Sequence, residues 1–380
     1  MFKKFKAGFF TYIRHTDWLL ILSCMAASGY GIALVYSVVK NTPGAGSRDY
    51  IVQIAACIIG IIAAIAISKI DYEIICRLWP VLSGFSIFLV LLTFTPLGLE
   101  VADDKAWLSV PVIGTFQPSE LMKITFIISF AAHLSKVQER MNELKVVSLL
   151  CIHGAIPVML IFLQGDDGTA LVFLCIFASM MFIAGLRPIY FILASTAGAA
   201  AVPVAWQRMG VDKQARFLSL IFVEKYALNY GWQQQMALIA IGSGRLWGIG
   251  YLQGGNNYLY ARNNDLIFTV AGEEFGFIGS LALLAVIALI VLALLREVMS
   301  ARDLQGMLLC GGVMAMIGFQ SVINLGMNLR VLPVIGITLP FFSKGGSSIA
   351  TLFLGIGVAL SVYYSSKSRS RDSIFSKRAG

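Results

Sequence analysis

The chain has 380 residues, 58% of them hydrophobic and only 13% charged, with a mean hydropathy of +0.81. A soluble domain carries charge on roughly a quarter of its residues, so a soluble globular fold is excluded and a polytopic integral membrane protein is indicated. The net charge of +9 sits mostly in tails and short loops, which reads as membrane orientation and not as nucleic-acid binding.

The first apolar run, residues 18–39, is long enough to span and is followed by no small-residue cleavage pattern, so it reads as a helix and not as a cleaved leader. Further runs of helix length cover 50–68, 78–98, 119–134, 146–163, 169–185, 188–206, 275–295, 307–329 and 347–364. The expected fold is therefore all-α, one transmembrane domain over 1–380 with about ten helices. Lys69 and Arg77, then Lys136, Arg140 and Lys145, then Arg187, then Arg296 and Arg302 lie in alternate connections. Together with Lys3, Lys4, Lys6 and Arg14 and the basic tail 365–380, they predict cytoplasmic termini in a cell membrane. The opposite, outer face then receives 99–118, the turn 164–168, the long loop 207–272 before helix eight, and 330–346. Within the long loop, 215–226 is apolar enough to lie as a short helix in the headgroup plane or to pack on the bundle.

The six cysteines (Cys24, Cys57, Cys76, Cys151, Cys175, Cys310) show no Cys-x-x-Cys spacing, and His15, His133 and His153 make no metal-ligand spacing with them. They read as small core residues. Glycines 242, 244, 248 and 250 lack both a preceding strand and a following Gly-Lys-Ser/Thr, so a nucleotide loop is not indicated.

Polar residues that could carry chemistry gather on the expected outer face. In QPSELMK (117–123), Glu120 and Lys123 share a helix face at i, i+3 and form either a structural ion pair or part of a cavity lining. Asp166 and Asp167 in QGDDGT suit a turn with helix capping, or a second acidic contribution. Asp265, after Arg262, Asn263 and Asn264, is a capping or solvated carboxylate, or else one that accepts a proton or binds a divalent cation. Glu273 and Glu274 stand where a span is expected to start, where a helix dipole favours acids; adjacent carboxylates point about 100° apart, so they do not share one task. The block 324–348 is broken by Pro333, Pro340 and Gly345-Gly346, which at membrane depth requires surrounding protein or a wet cavity. Arg330 and Lys344 there suit an anionic headgroup or pyrophosphate, or are solvated.

Several of these blocks together resemble the shape, elongation, division and sporulation (SEDS) family of RodA/FtsW-like proteins. They are QPSE with a lysine three residues on, the IAIGSG run, R-x-N-D-x-I-F, GEEFGF, and the block from Asn324 to Ser348. The resemblance covers essentially the whole chain. It implies a peptidoglycan glycosyltransferase that polymerises lipid II on the outer face of the cytoplasmic membrane, beside a class B penicillin-binding protein that cross-links. It implies that Asp265 is the catalytic carboxylate, and it places the family's glutamate–lysine pair on Glu120 and Lys123. The sequence departs from the family at Gly165 and Asp167, where Gln-Pro-Asp-Leu-Gly-Thr is common, at Lys344 for a usual tyrosine, at Ala106 before Trp107, and at Arg330. On this reading Asp265, exposed and ionised near neutrality, takes the proton from the acceptor's 4-hydroxyl. A divalent cation (Mg2+ or Mn2+, with Asp265 its one candidate ligand) or Arg216, Arg245, Arg262, Arg330 and Lys344 offset charge on the leaving pyrophosphate. Asn264, Glu273, Ser347 and Ser348 complete the expected substrate contacts. The competing functions are a lipid II flippase and a scaffold for the penicillin-binding protein.

Overall fold

The computed structural model describes residues 15–42, 46–101, 104–110, 114–226, 228–255, 259 and 262–376. The N-tail cations, and Lys377 and Arg378 of the basic tail, lie outside them. The helices are α1 (Trp18–Asn41), α2 (Arg48–Ile67), α3 (Tyr72–Arg77), α4 (Trp79–Leu92), α5 (Pro118–Val137), α6 (Leu144–Leu163), α7 (Asp167–Ile183) and α8 (Pro188–Arg208). Then come α9 (Val211–Ile221), α10 (Val223–Tyr226), α11 (Trp232–Ser243), α12 (Ile267–Ser300), α13 (Leu304–Asn328) and α14 (Gly346–Ser376). Asp17, Asp71, Asp166 and Asp303 cap α1, α3, α7 and α13 by accepting first-turn amides, which satisfies donors a helix start otherwise leaves orphaned.

Each of the expected apolar runs is helical. Among the described residues seven helices are long and apolar enough to cross a membrane: α1, α2, α6, α8, α12, α13 and the first 22 residues of α14. Two others, α4 and α7, are apolar but shorter, and α5 carries Glu120, Lys123 and Lys136 along its 20 residues. The fold is that of an all-α polytopic membrane protein. The expected run 78–98 stops being helical at Leu92: the Thr93 and Thr95 hydroxyls bond the Val90 and Leu92 carbonyls, and Pro96 disfavours helix at the residue before it. The chain then forms a small antiparallel meander, β1 (Gly98–Val101), β2 (Asp104–Val110) and β3 (Gly114–Phe116), in order β1-β2-β3 with Leu99 opposite Trp107 and Leu108 opposite Phe116.

Two regions differ from the sequence reading. The long connection holds α9 and α10, in line with a short helix over 215–226, and adds α11, which was not expected. Ala215 and Ser219 of α9 are buried while Val211, Phe217 and Ile221 are exposed. The helix expected from residue 275 begins instead at Ile267 and leaves helical geometry at Gly276 (φ 65°, ψ −158°). That conformation favours glycine, and the short first piece carries Glu273 and Glu274 inside it, not at a helix start. At the other extreme, α14 runs on through Ser376, so the described part of the basic tail continues a helix.

Contacts define two ends of the bundle. One is tied by Tyr72 Oη to Asp303 Oδ2 (2.9 Å), Tyr190 Oη to the Asn142 carbonyl (2.8 Å) and the Arg296–Asp17 ion pair. The other is tied by Lys344 Nζ to Asp49 Oδ2 (2.6 Å), the Lys105 amide to the Gln164 carbonyl (3.0 Å), the Lys213–Asp167 ion pair and Arg330 Nη2 to the Ser219 carbonyl (2.8 Å). Helix α1 crosses the segment between α13 and α14 so closely that a Cβ at Gly31 would lie 2.5 Å from the Phe341 carbonyl oxygen. By contrast, no residue of α8 is buried.

Candidate active site

The second end of the bundle holds the turn 262–266, and its position is set by backbone groups. Three successive carbonyls are each fastened. Asn263 accepts from the Lys344 amide (2.8 Å), Asn264 from Ser343 Oγ (2.6 Å), and Asp265 from the side-chain amides of Asn324 (2.8 Å) and Asn328 (2.9 Å). Asn324 and Asn328 stand at i, i+4 on α13 and so face the same way. Asn324 also donates to the Ile337 carbonyl (2.7 Å), and Ser343 Oγ accepts from the Leu339 amide (2.8 Å). The proline-broken segment between α13 and α14 is thus the clamp that holds this turn. On the turn's other side Leu266 is buried against Ala237, Ala240 and Leu259.

The Asp265 carboxylate is left out of this clamp. Among the described residues no side chain or backbone amide bonds it, and it is only partly exposed. Burial, with a further push from the Asp166 carboxylate, raises its pKa to about 6. The expectation of an exposed aspartate of ordinary acidity is therefore corrected: desolvation disfavours the charged form, and the side chain is poised within reach of neutral pH.

Asp166 itself is buried. Its Oδ1 caps α7 at the Thr169 amide (2.8 Å) and its Oδ2 accepts from Gln117 Nε2 (3.0 Å). Burial raises its pKa, against the Thr169 bonds and the charge of Lys123, which lower it. Lys123 is fully buried and reaches Glu120 Oε1 at 2.8 Å, while Ser348 Oγ donates to Glu120 Oε2 (3.1 Å). The pair is a buried structural link, and both of its members act electrostatically on Asp166. Asp104 on β2 is raised to about 6 by burial, then by Asp166 and Asp167, with Lys213 and Arg216 opposing. Glu120, Lys123, Asp166 and Asp265 therefore share one electrostatic environment, with Asp104 at its edge.

Other expected contacts fall elsewhere. Arg262 and Glu273 form a buried ion pair, and Glu273 also accepts from the Gly255 amide (3.3 Å). Glu274 accepts from Ser37 Oγ on α1 and from the Leu252 amide (3.4 Å). These two carboxylates bind different partners, as their 100° offset requires, and both hold the segment after α11 in place. Neither caps a helix start. Lys344 is paired with Asp49, while Arg330 Nη2 is held by the neutral Ser219 carbonyl. Arg216 is exposed on α9, and Arg245 is exposed beside α12, separated from the Asp265 turn by the first piece of that helix. Ser347 accepts from Thr351 Oγ1 through its carbonyl (2.9 Å). Sequence reasoning passed over Asn324, Asn328 and Ser343. Their signal was present: two amide side chains four residues apart in a largely apolar helix are costly in a membrane unless they bind something.

For a resident cation the fit is poor. Among the described residues no three His, Cys, Asp or Glu side chains converge, and Asp265 supplies one carboxylate, short of the oxygen cage a hard divalent ion requires. Any Mg2+ or Mn2+ would need oxygen ligands beyond that one carboxylate.

Fold and site together define a polytopic membrane protein with a partly buried carboxylate at one end of its helices, unbonded among the described residues and near buried Asp166. The profile described as a cell cycle protein, the FtsW/RodA/SpoVE family, matches residues 17–368. Similar sequences include the peptidoglycan glycosyltransferase RodA of Treponema pallidum, 29% identical over 91% of this chain and 97% of that one. Stage V sporulation protein E of Bacillus subtilis is 30% identical over 91% and 96%. Among solved structures, one described as a peptidoglycan synthase complex coordinating polymerization and crosslinking matches with a TM-score of 0.78 and 26% identity, over 93% of this chain and 99% of that one. Thermus thermophilus RodA matches with a TM-score of 0.67 and 26% identity, over 92% and 96%. The chain belongs to the FtsW/RodA/SpoVE family.

Proposed function

We infer that this protein is a peptidoglycan glycosyltransferase, with the end bearing the 262–266 turn facing the outside of the cytoplasmic membrane and lipid II as its substrate. The relatives carry that activity in their names. The basic residues Lys69, Arg77, Lys136, Arg140, Arg187, Arg296 and Arg302 all lie toward the opposite end, which supports cytoplasmic termini. The observation that carries the mechanism is the Asp265 carboxylate: its turn is clamped at three successive backbone carbonyls, yet among the described residues its side chain is unbonded, and it is of raised basicity. A base of this kind, near neutral pKa and within reach of a hydroxyl, is suited to proton abstraction.

In this reading Asp265 takes the proton from the 4-hydroxyl of the acceptor N-acetylglucosamine. The oxygen forms a bond to the anomeric carbon of the donor N-acetylmuramic acid with inversion, and undecaprenyl pyrophosphate leaves. Lys123, Glu120 and Asp166 lie buried behind it, and Arg216 is an exposed cation on the same end. The match to a synthase complex supports a class B penicillin-binding protein as partner. The test is polymerisation of fluorescent lipid II in detergent by the native chain and Asp265→Asn, with the partner present and with Mg2+, Mn2+ or chelator. Loss of general-base catalysis costs about 10²–10⁴-fold. Native-rate polymerisation by the variant would refute the assignment, and absence of glycan from the native chain would favour lipid transport.

A further inference from the structure

The break at Gly276 fixes a second feature, away from Asp265. It frees carbonyls above it and amides below it, and residues 245–250 satisfy both sets. The Ile249 and Gly250 amides donate to the Glu273 and Glu274 carbonyls (3.0 and 3.1 Å), and the Phe277 and Ile278 amides donate to the Arg245 and Leu246 carbonyls (2.8 and 3.2 Å). Arg245 is thereby held level with Phe277. From Phe277 the second piece of α12 carries no charge until Arg296, a run of about 28 Å at 1.5 Å per residue, which matches a hydrocarbon core of about 30 Å. Arg245 and Arg296 therefore mark the two boundaries of the apolar belt.

The surroundings of Arg245 are apolar and exposed. Leu246, Trp247 and Phe277 are 61%, 77% and 61% exposed, and the concavity lined by Ser243–Ile249 has a volume near 620 Å³. Tryptophan is enriched at this depth because one end of the ring is apolar and the other wet. Arg296, at the opposite boundary, is paired with Asp17. Among the described residues Arg245 has no acidic partner, although it is held at φ 48°, a conformation costly for any residue but glycine. An unpaired guanidinium at the edge of an apolar belt is stabilised by a phosphate.

We propose that Arg245, flanked by Trp247, binds the headgroup phosphate of an anionic phospholipid in the surrounding leaflet, whose acyl chains lie along Leu246, Phe277 and Ile278. The occupant is a bilayer phospholipid and not the reacting lipid-linked sugar. The first piece of α12, Ile267 to Phe275, separates this site from the Asp265 turn by about 13 Å, and a reacting pyrophosphate must adjoin Asp265. A net-negative headgroup is selected over a zwitterionic one because no acidic side chain here would receive a choline.

The experiment uses the full chain in nanodiscs and reads Trp247 as the difference between native and Trp247→Phe fluorescence. At equal mole fraction, acyl-brominated phosphatidylglycerol quenches Trp247 with about a fivefold preference over brominated phosphatidylcholine, the contribution of one cation near a membrane surface. Arg245→Gly removes the guanidinium and relieves the left-handed backbone, so it folds and loses the preference; Arg245→Lys retains most of it. Equal quenching by the two lipids in the native chain, or an undiminished preference in Arg245→Gly, overturns the proposal. So does displacement of the brominated lipid by undecaprenyl diphosphate but not by unlabelled phosphatidylglycerol, which would assign the site to the polyprenyl substrate.

Discussion

Asp265→Asn separates stability from catalysis. The native carboxyl has its pKa raised from 3.8 to about 6, so the folded state disfavours its ionised form. That cost is fully present above the folded pKa and vanishes as the pH falls below the unfolded value, where the group is neutral in both states. Each tenfold step is worth about 1.4 kcal/mol, giving about 3 kcal/mol at pH 7.5, which partial exposure and solvent screening reduce to about 1–2 kcal/mol. Asparagine removes the charge at nearly constant shape. Among the described residues it breaks no hydrogen bond of the native side chain, because the clamp from Asn324 and Asn328 grips the main-chain carbonyl. The variant should therefore unfold a few degrees higher than the native chain in detergent at pH 7.5, with the difference closing toward pH 4, while polymerisation is lost. A variant that is less stable at pH 7.5, or whose advantage persists unchanged at pH 4, would show that the aspartate is not destabilised by burial.

Lys123→Met leaves Glu120 as a buried carboxylate supported only by Ser348, which should destabilise the bundle by about 3–5 kcal/mol; Glu120→Gln in the same chain should recover most of that loss, measured by thermal unfolding. Asp166→Asn keeps a helix-capping side chain but removes the neighbouring charge that helps raise Asp265. Polymerisation should accordingly retain its rate to lower pH, with the acidic limb of the rate profile displaced downward; an unmoved limb would mean that the two carboxylates do not interact.

The apolar periodicity, and with it the helical class, was legible because a bilayer demands long uncharged runs. The Glu120–Lys123 pair was legible for the same reason: charges at that depth must meet, and i, i+3 spacing says where. The partners of Glu273 and Glu274 were not, since nothing local shows that the chain breaks at Gly276 and that residues 245–250 fold back into the gap. The acidity of Asp265 was also hidden. Its neighbours in sequence are polar, and its burial comes from α13, from the turn before α7 and from the segment before α14, all distant along the chain. Asp167 and Lys344, two departures from the family pattern, make cross-bundle pairs with Lys213 and Asp49, and those partners lie 46 and 295 residues away.

The discontinuity at Gly276 divides α12 into a short first piece and a long apolar shaft. A rigid rod that spans a membrane tilts when the hydrocarbon thickness changes. Here the rod begins at Phe277, while the reactive turn is anchored to α13 and to the segment that precedes α14. Four backbone hydrogen bonds from residues 245–250 bridge the two pieces, so the break is splinted, and a tilt of the shaft is passed to the 245–250 segment as well as to the turn.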